Sequence, residues 1–443
     1  RMAQMHWDAA AECADPADEA ALIAERLPTQ LAYVEQTSPF YRKLWRDAGV
    51  DVRRIRSVAA LADLPFTEKD DLRRSQETSP PFGGTQGADL ERIIRIQCTG
   101  GTTGVPMRMA FTRADLEWLD DVAARAIWCA GGRRDDVVLE CMNYSMYVGG
   151  VTDHMGFERA GLCVLPYGVG NSLRLLELVE AMETPWLLYS TPAYALRLAQ
   201  VAREHGMEPR ALRMAKGIFS GEGGLQVPGF RDLIEETWGC TAQDIYGLSE
   251  TGVMAAECEH RTGLHLVTRG HFVTELIDPE TGAALEMTGD AVGELVFTNL
   301  GREASYLVRY RSHDLVRVHG EPCPCGRTGL RFSMIGRSDD MFIVRGVNVF
   351  PLGVQDILYG MRPAVTGEFR IILDREPPID YAPRIVVERG DDAADDLAAR
   401  VADAIQSRLN FTPAIELVPA ESLPRAERKS KRLFRTYLGE EPA

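Results

Sequence analysis

The stretch Cys98-Thr99-Gly100-Gly101-Thr102-Thr103-Gly104-Val105-Pro106 concentrates glycine and threonine as no other part of the chain does. Glycines let a backbone approach an anion and take positive φ, and threonine hydroxyls add donors to the bare N–H groups, so the run reads as a phosphate cradle. It is not a Walker loop: no Gly-Lys-Ser/Thr follows, and Met107 to Phe111 reads as a short strand rather than a helix start. An ordinary tight turn is the alternative reading of the same residues. A second group able to do chemistry is Cys323-Pro324-Cys325, with Cys258 and His265 upstream in Glu-Cys-Glu-His-Arg-Thr-Gly-Leu-His. Three thiolates and one imidazole make a closed tetrahedral Zn²⁺ site, structural because four protein ligands leave no open position. His260 stands as an alternative ligand, and metal-free turn cysteines as the plain alternative.

The elements that must position these groups follow from periodicity. Apolar residues recur at helical spacing from Asp18 to Val34, and Leu61 to Arg74 holds Leu-Pro-Phe-Thr-Glu-Lys-Asp-Asp-Leu-Arg, where Thr67 is expected to cap a helix ahead of Asp70. Ile93 to Gln97 alternates as a strand into the glycine loop, and Asp115 to Cys129 returns as a helix. Strands at Val137 to Cys141, Trp186 to Tyr189, Met214 to Phe219 and Ala242 to Tyr246 alternate with helices at Leu173 to Met182, Thr191 to about His205 and Phe230 to Trp238. That order predicts an α/β fold with a mainly parallel sheet and ligand loops at the strand carboxyl ends. After about Glu257 the pattern turns β-rich, with strands expected at His271 to Ile277, Gly293 to Thr298, Leu307 to Tyr310 and Leu315 to Val318. The expected division is a large N-terminal domain, 1–338, with a β-rich subdomain at about 257–335, then a small α+β domain, 339–443.

Five segments in order give the chain a family resemblance. They are Thr99 to Pro106; Tyr246-Gly247-Leu248-Ser249-Glu250-Thr251; Tyr310-Arg311-Ser312-His313-Asp314; Gly336-Arg337-Ser338-Asp339-Asp340 continuing through Arg345-Gly346-Val347-Asn348-Val349-Phe350-Pro351; and Arg428-Lys429-Ser430-Lys431-Arg432. Together they resemble the adenylate-forming superfamily, in its phenylacetate–CoA ligase-like branch, as do Pro-Phe-Tyr-Arg-Lys-Leu-Trp and the Leu-Pro-Phe-Thr-Glu-Lys-Asp-Asp-Leu piece near the start. The resemblance implies AMP-forming activation of a carboxylic acid with ATP and Mg²⁺, followed by transfer to a thiol, with CoA the expected co-substrate. It implies that Thr99, Gly100, Gly101, Thr102, Thr103 and Gly104 hold the β- and γ-phosphates. Glu250 would bind Mg²⁺, and Tyr246, with Gly247 and Ser249 in the same motif, would pack on adenine beside the loop Ser220-Gly221-Glu222-Gly223-Gly224. Asp314, assisted by Arg337, would hold the ribose hydroxyls. Lys429 would be the catalytic lysine between the α-phosphate and the acid, with Lys431 its rival, and Asp339 the hinge of a mobile small domain.

Two positions depart from the family's pattern: Val105 stands where a lysine is common, and Gly100 where a second hydroxyl residue is usual. The loop thus lacks a phosphate cation, and Arg108 is the candidate to compensate. The acid pocket is expected from Tyr144, Met146, Tyr147, Val148 and Gly149, with Tyr189, Gly247 and the Ser220 loop beneath, a composition suited to a planar aromatic or arylalkenoic acid. Glu222 could meet an amino or hydroxyl substituent there. Three functions follow: an aryl-acid–CoA ligase; a same-fold adenylating enzyme with another acid or acceptor, such as a carrier-protein thiol, an amine, or nitrite activated for arylamine diazotisation in secondary metabolism; and a non-catalytic nucleotide-binding homologue.

Composition narrows the partners. The 443 residues are 45% hydrophobic and 26% charged, with a formal net charge of −16. An acidic chain lacks the basic face that sequence-independent binding to nucleic acid or an anionic membrane rewards, so the partners expected are a small acid or arylamine, with a second copy of the chain or a carrier protein left open. Arg1 to Asp15 carries no basic-then-apolar signal pattern, no apolar run approaches a membrane span, and nine cysteines do not form an even disulfide framework, which together favour the cytoplasm. Cysteines such as Cys129 and Cys163 are expected in the core.

Overall fold

The computed structural model describes residues 5–99, 105–222, 225–226, 228–391, 393–424 and 431–442. Contacts divide the chain into two units: Arg1–Ser190, Leu212–Ser220 and Gln243–Ser333 form one, and Thr191–Ala211, Gly221–Ala242 and Met334–Ala443 the other. This division differs from a cut at 338 in one respect that matters: the helices Pro192–Glu204 and Pro228–Trp238 group with the carboxyl-terminal part.

In the first unit the glycine loop is carried by a hairpin of β1 (Ile93–Cys98) and β2 (Arg108–Thr112), paired antiparallel from Ile93 with Thr112 to Cys98 with Arg108. The helix Arg113–Cys129 starts directly after β2, where Thr112 and Asp115 form a reciprocal capping box. A twelve-stranded sheet follows. Its parallel side contains β3 (Val137–Glu140), β4 (Cys163–Pro166), β5 (Trp186–Ser190) and β6 (Met214–Phe219), in the order β4-β3-β5-β6. Fully buried runs such as Trp186 to Ser190 are what a sheet covered on both faces requires. The sheet continues through β7 (Thr241–Leu248), β8 (Gly252–Glu257), β9 (Leu264–Leu266), β10 (Phe272–Ile277), β11 (Ala284–Leu285), β12 (Val292–Asn299), β13 (Tyr310–Val318) and β14 (Arg331–Arg337), in the order β7-β8-β9-β14-β13-β12-β10-β11. The β-rich stretch is therefore an antiparallel continuation of the same sheet.

Several local expectations are corrected. Thr67 caps nothing: Glu68 and Asp71 form the capping box of the helix Lys69–Thr78, while buried Thr67 bridges to Tyr310 and donates its hydroxyl to the Val308 carbonyl at 2.8 Å. Leu315 to Val318 is no separate strand, because β13 runs unbroken from Tyr310 to Val318. Cys163 is exposed, since β4 is the last strand on its side of the sheet, whereas Cys129 is buried as expected.

The second unit holds a four-stranded sheet of Val365–Leu373, Arg384–Arg389, Ala414–Val418 and Leu433–Arg435. The helices Pro351–Tyr359 and Leu397–Leu409 contribute Val354, Ile357, Leu358, Val401 and Ile405 to a core shared with Phe369, Ile371 and Ile385. Phe230, from the helix Pro228–Trp238, lies against Tyr359 with ring centroids 4.4 Å apart. Among the described residues no helix is long and apolar enough to cross a membrane.

Candidate active site

The base of the glycine loop is pinned at both ends. Thr99 is buried; its N–H donates to the Met107 carbonyl at 2.9 Å, and its hydroxyl accepts from the Met107 N–H at 3.3 Å. Gly100, Gly101, Thr102, Thr103 and Gly104 lie outside the described residues. Val105, just after them, is 70% exposed. The start of the loop is tied to the segment expected to line the acid pocket: Cys98 bridges to Tyr147, and the Gln97 side chain donates to the Tyr147 carbonyl at 3.0 Å while accepting from Thr152 at 2.9 Å. Two segments about fifty residues apart are thereby held side by side.

Near the end of β7 lie several of the residues expected on the nucleotide side. The Tyr246 hydroxyl donates to Asp314 Oδ2 at 2.6 Å, and its ring meets Phe332 edge-on at 5.5 Å. Gly247 sits at a register shift between β7 and β8, where a Cβ would collide with the Gly252 carbonyl, so only glycine lets these strands close. Ser249 and Glu250 form the turn that follows. Glu250 is 4% exposed and faces Lys69 Nζ at 3.0 Å, while its backbone carbonyl accepts from Arg302 Nη1 at 2.9 Å. Lys69 was missed as a site residue, although it lies in one of the pieces that carried the resemblance. Arg108, the cation expected to stand in for a loop lysine, instead donates Nε to the Pro81 carbonyl at 2.6 Å.

The residues expected around the acid lie at the carboxyl edge of β3 and β5. Met146 is 43% exposed, Val148 is buried, and the Tyr144 hydroxyl meets His154 Nδ1 at 3.0 Å. Buried Tyr189 donates to Asp153 Oδ2 at 2.7 Å. A Cβ on Gly149 would stand 3.5 Å from Asp153 Oδ2, which puts that backbone directly over the carboxylate. Glu140, paired with Tyr189 across β3 and β5, has no exposed surface. Burial pushes its carboxyl up to about 8, Asp153 adding and the nearby Tyr144 hydroxyl opposing. Burial likewise lifts Asp153 to about 6, against the hydrogen bond from Tyr189. Glu140 and Asp153 were not foreseen, because an isolated acid in an apolar run carries no motif. Ser220 follows β6, its N–H donating to the Ser190 carbonyl at 3.1 Å.

In the second unit Gly221 takes a φ of 86°, and Glu222 accepts from the Ala193 N–H at 3.3 Å. Gly223 and Gly224 lie outside the described residues. Arg337 forks onto Asp339, with both contacts at 2.8 Å, and Arg435 donates to the Asp339 carbonyl at 3.0 Å. Lys429 and its neighbours 425–430 lie outside the described residues; Lys431, the rival, pairs with Glu440 at 2.8 Å.

The cysteine–histidine group assembles as its spacing implied. The ligand atoms of Cys258, His265, Cys323 and Cys325, all buried, lie within 4.8 Å of one another. Cys258 and Cys323 place their sulfurs 3.6 Å apart, and Cys325 Sγ is 3.5 Å from His265 Nε2. Tetrahedral zinc, with bonds of about 2.3 Å to sulfur and about 2.0 Å to nitrogen, needs edges of roughly 3.8 and 3.5 Å. The hydrogen bond from Cys258 and then His265 hold the Cys325 thiol well below its ordinary range. His260, the alternative ligand, is exposed and outside the group.

Comparison with known proteins bears on the family and the fold. The AMP-binding enzyme family matches residues 16–307, and the AMP-binding enzyme C-terminal domain matches residues 346–436. A phenylacetate-coenzyme A ligase of Thermus thermophilus is 34% identical over 429 residues, covering 92% of this chain and 94% of that protein. One from Escherichia coli is 31% identical over 425 residues, covering 94% of each. Among solved structures, 2-hydroxyisobutyryl-CoA ligase in its postadenylation state superposes with a TM-score of 0.90 at 30% identity, over 98% of this chain and 93% of that one.

Proposed function

The chain belongs to the AMP-binding enzyme family, and from that premise we propose that this AMP-forming acid–thiol ligase activates an aromatic or arylalkenoic carboxylic acid and passes the acyl group to CoA. In the first half-reaction a carboxylate oxygen of the acid attacks the α-phosphorus of ATP and pyrophosphate leaves. In the second the thiol attacks the acyl carbon and AMP leaves. The observation that carries the reading is the joining of Tyr246 to Asp314 at 2.6 Å in the unit that also holds Glu250 buried beside Lys69. A phenol fixed against a buried carboxylate gives a rigid edge on which adenine can pack while the carboxylate accepts ribose hydroxyls.

A buried carboxylate already facing a cation is suited to Mg²⁺, so Glu250 is its proposed ligand. Bound there, Mg²⁺ would neutralise charge on the departing pyrophosphate. Thr99 and the glycine loop are the proposed phosphate donors, and Lys69, which faces Glu250, is proposed to supply the positive charge that a loop with Val105 in place of a lysine lacks. Lys429 is the proposed catalytic lysine, Arg337 the assistant at the ribose, and Asp339 the pivot of a domain beginning there. Tyr144, Tyr147, Val148 and Gly149 are proposed to line the acid pocket with Tyr189. Zn²⁺ is proposed for Cys258, His265, Cys323 and Cys325, because both measured ligand–ligand distances suit tetrahedral edges.

The test is a screen of aryl acids for AMP and pyrophosphate release, with and without CoA. CoA-dependent release with an aryl acid is expected; release only with nitrite plus an arylamine would overturn the choice of acceptor, and release with aliphatic acids alone the choice of acid. Lys429→Ala should lower adenylation on the order of a hundredfold or more while a supplied acyl-adenylate is still consumed. Unchanged adenylation would remove that lysine from the mechanism.

A further inference from the structure

Among the buried acceptors of the first unit that lack a hydrogen-bond partner, Glu140 lies beside the proposed acid pocket. Glu140 ends β3, and its Oε1 accepts from the Met142 N–H at 3.1 Å. Its Oε2 has no hydrogen-bond partner, although the residue has no exposed surface. Neighbouring polar groups are already committed. The Asp153 carboxylate takes the Tyr189 hydroxyl at 2.7 Å, and His154 Nε2 reaches Glu158 at 3.2 Å. The Tyr144 hydroxyl meets His154 Nδ1 at 3.0 Å and lies near enough to Glu140 to act on its carboxyl, without a hydrogen bond to Oε2. Buried polar groups are nearly always satisfied, so an orphaned carboxyl oxygen at the carboxyl edge of a parallel sheet, where ligands bind in such folds, calls for a partner that the chain does not supply.

We propose that Glu140 is a specificity-determining residue whose free Oε2 accepts from an amino or hydroxyl substituent on the aryl acid, with Tyr189 and Asp153 positioning the floor of the pocket around it. This rests on the proposed acid pocket and narrows its substrate class from aromatic acids in general to those bearing a hydrogen-bond donor on the ring. The ordering runs through β3 and β5: Glu140 pairs with Tyr189, Tyr189 is locked by Asp153, and the Gly149 backbone stands over Asp153. Because burial lifts the Glu140 carboxyl to about 8, it is mainly protonated near neutral pH and matches an uncharged aryl amine or phenol better than an alkylammonium. A site that must hydrogen-bond a substrate group rejects the analogue lacking it more sharply than an apolar pocket rejects a missing methylene.

The experiment compares matched acids: benzoate with its 3- and 4-amino and 3- and 4-hydroxy derivatives, and cinnamate with 4-amino- and 4-hydroxycinnamate. In at least one set the donor-bearing acid should lead in kcat/KM for pyrophosphate release by about tenfold or more, and the amino and hydroxyl arms identify which donor is read. Glu140→Leu, similar in size and free of the buried carboxyl, should bring that preference within about twofold, and Glu140→Gln, which keeps an acceptor, should retain part of it. Unsubstituted acids used equally well, or a preference that survives Glu140→Leu, would overturn the proposal while leaving the ligase reading intact. If no acid releases pyrophosphate, the ligase reading is what fails, and calorimetric titration of the same acids decides the pocket. Tighter binding of the donor-bearing member, lost in Glu140→Leu, supports the proposal; equal binding, or none, overturns it.

Discussion

The cysteine–histidine group and the Glu140 group are both buried and polar, but they are closed in opposite senses. Cys258, His265, Cys323 and Cys325 turn their ligand atoms toward one another, with sulfur and nitrogen at the separations one small cation would impose. Around Glu140 one carboxyl oxygen is left without a hydrogen bond among the described residues. A set that closes on itself serves the fold, because its free energy is gained whenever the chain folds. A set with one valence open carries a desolvation cost that only a ligand can relieve. The pair Tyr246–Asp314 lies between these cases, with Asp314 buried and Tyr246 half-buried near the end of β7.

The contrast can be broken from either side. The largest effect is expected at the closed group: Cys325→Ser should release the metal and lower stability by several kcal/mol, on the order of 5, read as a shift of the urea midpoint together with zinc content by elemental analysis. Chelation should reproduce it. A purified protein with no zinc and an unmoved midpoint would end the metal assignment, and loss of activity without loss of stability would make the site catalytic after all.

The next effect has the opposite sign. The Glu140 carboxyl stands at about 8 in the fold against an ordinary value of 4.5, so between those values the folded chain keeps a proton that the unfolded chain has released. Stability contributed at this residue therefore falls as pH rises through that window. Glu140→Gln should gain stability relative to the parent by on the order of 4 kcal/mol between about pH 5 and about pH 9, measured by urea unfolding across pH. A difference that does not change with pH would mean that the carboxyl is not desolvated as described.

The smallest effect sharpens the intermediate case. Tyr246→Phe removes a single hydrogen bond to Asp314 and keeps the ring, so it should cost about 1 kcal/mol, seen as a roughly fivefold higher KM for ATP with kcat little changed. A fall in kcat with KM unchanged would place that hydroxyl in the chemical step instead.

Much of this was legible in the chain. Alternating strand and helix patterns located most elements to within a few residues, since hydrophobic period is a local property. The clustering of Cys258, His265, Cys323 and Cys325 was readable because cysteine and histidine are rare types whose spacing carries meaning. Thr67 misled because a threonine before acidic residues looks like a cap, and only its pairing with Tyr310 drew it away from that role. Cys163 misled because apolar neighbours cannot tell an edge strand from a central one.

By itself the sequence determined the family, the order of elements and the residue types of the proposed nucleotide and metal sites, because motif and periodicity are written in neighbouring letters. Only the tertiary structure brought Lys69 to Glu250, set Tyr246 against Asp314 and left an oxygen of Glu140 without a partner. The physical reason is that charge pairing and desolvation depend on distance and on the exclusion of water, and neither exists until remote segments have packed together.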